Sequence, residues 1–122
     1  MTIKFMIIDG QSDFRKLLSH HLSVHWPDAI IAEFDPTVAG HLPTEFSGAG
    51  NDMILLGNQL GDRGGTQVLK QFLRTQGFLA VVYFGAAEEE VTVARLGADG
   101  FFLRDDVRHK QLIIRLTDVL NS

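Results

Sequence analysis

The chain has 122 residues, 45% of them apolar and 21% charged, with a formal net charge of -4 and no cysteine. That length and balance fit one globular domain over residues 1–122, and the missing cysteines exclude disulfides, thiolate metal sites and thiol nucleophiles, so a reducing, cytoplasmic setting is expected. No apolar run is long enough to span a bilayer, no basic stretch followed by a secretory apolar segment stands at the N-terminus, so export is not expected, and the scattered Lys and Arg form no footprint for direct nucleic-acid binding.

The first apolar run, Lys4 to Ile8, is short enough for a strand buried on both faces, and it ends at Asp9-Gly10. Phe14, Leu17, Leu18 and Leu22 then recur at helical spacing, with Ser12 placed to cap that helix. His20, His21 and His25 lie on it. His21 and His25 have a one-turn spacing that could chelate a metal, but without a third ligand they read as exposed or half-buried helix histidines. Trp26 beside Pro27 is expected to close the helix, an exposed indole forming a binding hot spot being the alternative.

Ala29 to Phe34 gives the second strand. From Asp35 to Asn51, Pro36, Pro43 and several glycines break any long helix, leaving one short helix near Val38 to Leu42 and a loop-rich connection. Met53 to Leu56 is the third strand and is followed by Gly57-Asn58. Asp52 then falls at the start of that strand and Asp62 in the loop beyond it. Gly64 and Gly65 open a helix carrying Val68, Leu69, Phe72 and Leu73, which Gly77 ends; they lack the Lys and Ser or Thr of a phosphate-cradling loop.

Leu79 to Phe84 is the fourth strand and leads to Gly85-Ala86. Glu88, Glu89 and Glu90 would occupy the first turn of the next helix, where carboxylates meet the positive end of the helix dipole; a solvated face is the ordinary reading and an acidic docking site the alternative. Gly97 ends that helix. Phe101 to Leu103 is the fifth strand, followed by Arg104, Asp105 and Asp106, and Leu112, Ile113, Leu116 and Leu120 mark the last helix. Strand and helix alternate, which makes a doubly wound α/β domain with a parallel sheet, and its functional crevice lies beyond the carboxyl ends of the strands.

Three segments at those strand ends, MIIDGQSDFRKLL (Met6 to Leu18), DMILLGNQLGDRGGTQVL (Asp52 to Leu69) and LGADGFFLRDD (Leu96 to Asp106), resemble the receiver domains of two-component response regulators. The resemblance runs from Lys4 to about Leu120. It implies a flavodoxin-like sheet with strand order 2-1-3-4-5. It also implies a phosphorylation pocket in which a carboxylate nucleophile ends the third strand and a neighbouring acid pair holds Mg²⁺. Asp9 matches the first acid of that pair, but Gly10 stands at the second, Gly57 at the nucleophile, Gly85 at the switch hydroxyl and Arg104 at the phosphoryl-binding lysine. The pocket is therefore expected to be degenerate, with no catalysis, no metal and no cofactor.

Asp9 without a metal needs a partner. Arg104 can bridge to it through a planar two-bond fork, or can point to solvent and pair with Asp105 or Asp106; the sequence leaves both open. Phe101 matches the family's aromatic switch. It can rest permanently inward, be an ordinary alternating strand residue, or, if exposed, mark a partner contact. Asp99 and Arg115 stand where the family's fourth helix, fifth strand and fifth helix commonly carry an intersubunit ion pair, although Gln111 occupies a usual acid position.

The resulting expectation is a non-phosphorylatable receiver-like module, the N-terminal part of a longer signalling protein. It would act through a protein partner, homodimerisation or its own output domain, a cyclic-dinucleotide enzyme being one output by analogy. The alternative is a small anion-binding or enzymatic domain using Asp9 as base and Arg104 as anion holder.

Overall fold

A computed structural model describes residues 2–42, 51–75 and 79–122. Five strands, β1 (Lys4–Ile8), β2 (Ile30–Phe34), β3 (Met53–Gly57), β4 (Ala80–Gly85) and β5 (Gly100–Leu103), form one parallel sheet in the order β2-β1-β3-β4-β5. The helices are α1 (Ser12–His25), α2 (Pro36–Ala39), α3 (Gly65–Thr75), α4 (Glu90–Leu96) and α5 (His109–Leu120), with a 3-10 turn at Ala87–Glu89. This is the doubly wound architecture expected from the alternation of apolar runs and helical spacing.

The pleat divides the central strands between two apolar layers. Phe5, Ile7, Met53, Leu55, Val82 and Phe84 pack on Phe14, Leu18 and Leu22 of α1 and on Leu112 and Leu116 of α5. Ile54, Leu56, Val81 and Tyr83 face the other way, onto Val68, Leu69 and Phe72 of α3 and Val93 of α4. Only β1, β3 and β4 are covered on both sides. β2 and β5 are edge strands, and Ile30 and Leu103 are exposed on them, so a short apolar run does not by itself mean burial on both faces.

Local chemistry moves several boundaries. Gln11, not Ser12, occupies the α1 N-cap and makes no side-chain cap bond, while Ser12 is already helical. The short second helix begins earlier than Val38 and ends before Leu42. Asp35 caps it by accepting from Thr37 N at 2.9 Å, and Pro36, with no N–H to lose, fits its first turn. Gly97 ends α4 with φ 95°, a left-handed conformation that glycine adopts without Cβ strain. Gly77 lies outside the described residues. Trp26 does close α1, with its N–H on Leu22 O at 2.7 Å and its ring against Phe5.

Leu55 is fully buried between β1, β4 and the α1–α5 layer. Leu55→Ala is expected to lower stability by about 2–5 kcal/mol. Urea unfolding should show a lower midpoint at an unchanged slope.

Candidate functional site at the strand ends

β1 delivers Asp9 and β5 delivers Arg104 to the same point above the sheet. Asp9 is fully buried and Arg104 nearly so, its side chain 9% exposed. The guanidinium meets the carboxylate as a two-bond fork, Nη1 donating to Oδ1 at 2.7 Å and Nη2 to Oδ2 at 2.6 Å. The backbone N–H groups of Gln11 and Gln59 donate to the same oxygens, at 2.9 and 3.2 Å. Asp9 is thus a buried charge with its acceptor sites occupied, the condition under which burial is tolerable. Arg104 does not turn to Asp105 or Asp106; Asp106 pairs with Arg108 instead.

Arg104 is held from other sides as well. Nη2 also donates to Gln11 Oε1 at 2.8 Å and Nη1 to Asn58 Oδ1 at 3.4 Å. Its Cζ lies 4.0 Å from the centroid of the Phe14 ring, in cation–π geometry. Each terminal nitrogen therefore makes two bonds within the chain, leaving the flat edge that would clasp an anion already engaged.

The glycines are the counterpart of this packing. A Cβ on Gly57 would collide with Asp9 Oδ1 and approach Arg104 Nη1 to 2.9 Å. On Gly10 it would meet Gln59 O at 2.8 Å and Thr37 Cγ2 at 2.9 Å. The place from which a third-strand side chain would project is filled by the fork itself. Asp52 lies at the opposite end of β3, where it accepts from Lys4 N at 2.8 Å, and Asp62 is exposed in the following loop.

A second polar cluster, missed in the sequence, adjoins the first. Tyr83 is fully buried on β4, and its hydroxyl donates to Glu89 Oε2 at 2.6 Å. Glu89 Oε1 accepts from Asn58 Nδ2 and from Ala86 N, both at 2.9 Å. Burial pushes the Glu89 carboxyl up, but the bonds from Tyr83, Ala86 and Asn58 outweigh it and hold the group below its ordinary value. Burial and the adjacent carboxylate push the Tyr83 hydroxyl far above the usual phenol range. Glu89 therefore departs from the solvated-face reading of the acidic run, whereas Glu88 and Glu90 are exposed. It also lies in the 3-10 turn, ahead of α4 rather than within its first turn.

Tyr83 also explains two more glycines. A Cβ on Gly65 would collide with its hydroxyl, and one on Gly85 would reach its ring edge and Glu89 Oε1 at 2.5 Å. The only sequence signal for this arrangement is a tyrosine two residues before Gly85 in β4, which does not reveal the side chains its hydroxyl meets. Arg15 was missed for the same reason. It bonds Asp9 O at 2.8 Å and pairs with Glu33 at 3.1 Å and Asp35 at 3.4 Å, so a second guanidinium neutralises the outer acids of this corner.

Phe101 is half-buried and stacked on Tyr83, with centroids 6.3 Å apart and planes at 21°. It is thus packed on the core as well as being a strand residue, while its remaining surface lines an open groove with Glu90, Phe102, Gln111 and Arg115. Asp99 and Arg115 are exposed and form no ion pair with each other in the chain. Asp99 Oδ2 accepts from Val81 N at 2.9 Å, and Arg115 lies over Gly100.

A divalent ion does not fit this donor set. Gly10 and Gly57 offer no side-chain oxygen, both Asp9 oxygens are taken by a cation belonging to the chain, and no cluster of three or more metal-ligating side chains occurs among the described residues. The chain-borne guanidinium occupies the electrostatic role that a metal would need.

No family model matches the sequence, and no curated protein does. Solved structures match over almost the whole chain. The signal receiver domain of a DNA-binding response regulator from Colwellia psychrerythraea 34H is 16% identical with a TM-score of 0.80, covering 98% of this chain and 99% of that one. A response regulator receiver domain protein from Clostridium thermocellum is also 16% identical, with a TM-score of 0.81 and coverage of 98% and 94%. The receiver domain of a LuxO-type repressor from Vibrio parahaemolyticus is 15% identical, with a TM-score of 0.79 and coverage of 99% and 92%. The fold is that of response regulator receiver domains. No helix among the described residues is long and apolar enough to cross a membrane.

Arg104→Ala strands the buried Asp9 charge and is expected to cost about 3–5 kcal/mol in equilibrium unfolding. The double variant Asp9→Asn/Arg104→Met removes both charges and should cost less than Arg104→Ala alone. Gly57→Ala, which adds only a Cβ, should lose about 1–3 kcal/mol by overpacking the fork.

Proposed function

We propose that this chain is a receiver-like signalling module that accepts no phosphoryl group and works through protein contacts. The observation carrying the reading is the Asp9–Arg104 fork over the bare α-carbon of Gly57. Phosphoryl transfer to a receiver fold requires a carboxylate at the end of β3, a cation beside it and room for the incoming group. Here the carboxylate is absent, the cation is covalently part of the chain, and the room is filled.

A switch of the usual two-population kind needs a ligand that binds one population better than the other. With the fork closed and Tyr83 tied to Glu89, the strand ends hold one arrangement without any ligand. Phe101, stacked on Tyr83, belongs to that arrangement and presents its outer edge in a fixed position. The module therefore offers a constant surface to a partner, a second copy or its own output domain, in place of a phosphorylation-dependent one.

The face best suited to this contact combines α4, β5 and α5. It carries a groove of about 460 Å³ lined by Ala87, Phe101, Phe102, Leu103, Arg108 and Gln111 among others. Arg115 lines the adjoining part of the groove, and Asp99 is exposed at the turn that leads into β5. Homodimerisation through this face, with Asp99 of one copy meeting Arg115 of the other, is the specific form of the proposal.

Incubation with a small phosphodonor and Mg²⁺ should leave the intact mass unchanged; gain of one phosphoryl group would overturn the reading. Light scattering across a concentration series should show a rising mass for the wild type and a monomer for Arg115→Glu. Identical masses for both proteins at every concentration would remove this face as the dimer contact.

A further inference from the structure

α1 and α5 lie side by side on one face of the sheet, and each contributes one histidine to the seam between them. His21 Nδ1 and His109 Nδ1 are 2.8 Å apart, and the two rings lie 4.9 Å apart at 33°. The other ring nitrogen of His21, Nε2, is sealed from solvent and has no hydrogen-bond partner. His109 is the first residue of α5, five positions beyond Arg104. The β5–α5 connection is therefore fastened at both ends, by the fork to Asp9 and by the histidine pair to α1.

A hydrogen bond between two Nδ1 atoms needs one proton and one lone pair between them. Of the neutral tautomers, the one in which His21 donates from Nδ1 keeps a bare Nε2 and so leaves no buried N–H without an acceptor. Charging His109 puts a proton on its Nδ1, which forces the proton of His21 over to the sealed Nε2, where nothing accepts it. Charging both rings sets two N–H groups against each other across 2.8 Å, and no bond remains.

The surroundings do not compensate for added charge. His109 on α5 and His20 on α1 are the groups whose charge acts on His21, and both act against its protonation. The first cause of its lowered pKa is burial. His25, one turn further along α1, has its ring against Trp26. On the α5 side Arg108 is engaged by Asp106, and Lys110 is exposed. Among the described residues no carboxylate lies within ion-pair distance of either ring.

We propose that His21 and His109 form a proton-operated clasp between α1 and α5, closed when the pair is neutral and opened when both rings are charged, releasing the first turn of α5. The sign follows from linkage. His21 is harder to protonate in the folded chain than in the unfolded one, so the unfolded state binds more protons once the pH falls below the unfolded value of 6.5. Stability contributed by the clasp is complete above that value and is lost as the pH falls toward the lower folded value. Gln111 and Arg115 follow in the same helix, so the groove beside Phe101 loosens with it.

The test is urea unfolding and histidine-detected NMR titration between about pH 7.5 and pH 5. In the wild type, His21 is expected to titrate below 6.5, the urea midpoint to fall on acidification, and the backbone amides at the start of α5 to lose exchange protection before those of β3 and β4. His21→Leu should flatten the midpoint over this range. His109→Gln, which keeps a hydrogen-bonding group but takes no proton, should do the same while remaining folded, and His20→Gln should leave most of the slope in place. The proposal is overturned if His21 titrates at its ordinary value, or if the wild type and both seam variants lose stability in parallel. It also fails if α5 protection is insensitive to pH.

Discussion

A carboxylate with no solvent exposure sits at the centre of this molecule's functional end, and it is tolerable only because a guanidinium is clamped onto it. In a low-dielectric crevice an unpaired Asp9 would be expelled, neutralised or hydrated at the expense of the surrounding packing. Arg104 removes that conflict through two short parallel bonds, and the backbone N–H groups of Gln11 and Gln59 complete the shell. Everything near the strand ends is shaped to keep this pair in place. Phe14 supports the guanidinium from one side, Gln11 and Asn58 each accept one further proton from its terminal nitrogens, and the bare α-carbons of Gly10 and Gly57 leave the volume the pair and its loop require.

The same exchange of side-chain volume for glycine occurs a strand away. Tyr83 places a hydroxyl against Gly65 and a ring edge against Gly85, and Glu89 turns inward to accept from it. Asn58 touches both clusters, accepting from Arg104 and donating to Glu89, so the two are parts of one polar chain running across β1, β3, β4 and β5. Such a chain is stable when its members are satisfied and costly when one is removed. The outer groove inherits its shape from this interior, because Phe101 rests on the Tyr83 ring.

The elements were legible in the sequence because each central strand is a short apolar run and each long helix repeats its apolar face at helical spacing. The order of the strands and the placement of Asp9, Gly57, Gly85 and Arg104 at one end followed from the resemblance and from the rule for parallel sheets. Boundaries failed where a single capping residue decided them, as when Asp35 and Pro36 started α2 ahead of Val38. Side-chain partners were not legible. Glu89 looked like one solvated acid among three, because the sequence does not show that Tyr83, six residues earlier, turns a buried hydroxyl toward it. His21 was weighed against His25 on its own helix, whereas its partner lies 88 residues away on α5. Arg104 had Asp9 on one side and Asp105 or Asp106 on the other as candidate partners by sequence, and only the folded sheet, which brings the ends of β1 and β5 to one crevice, decided between them.

The partners of the fork are separated by 95 residues, more than three quarters of the 122-residue chain. Asp9 arrives with the first strand, and its counter-ion arrives only when the last strand has docked beyond β4. Contacts of such long sequence separation carry a high loop-closure cost and form late. A nascent or truncated polypeptide lacking β5 would therefore carry an uncompensated charge in its interior, so the residue pair that closes the pocket also distinguishes a finished domain from an unfinished one.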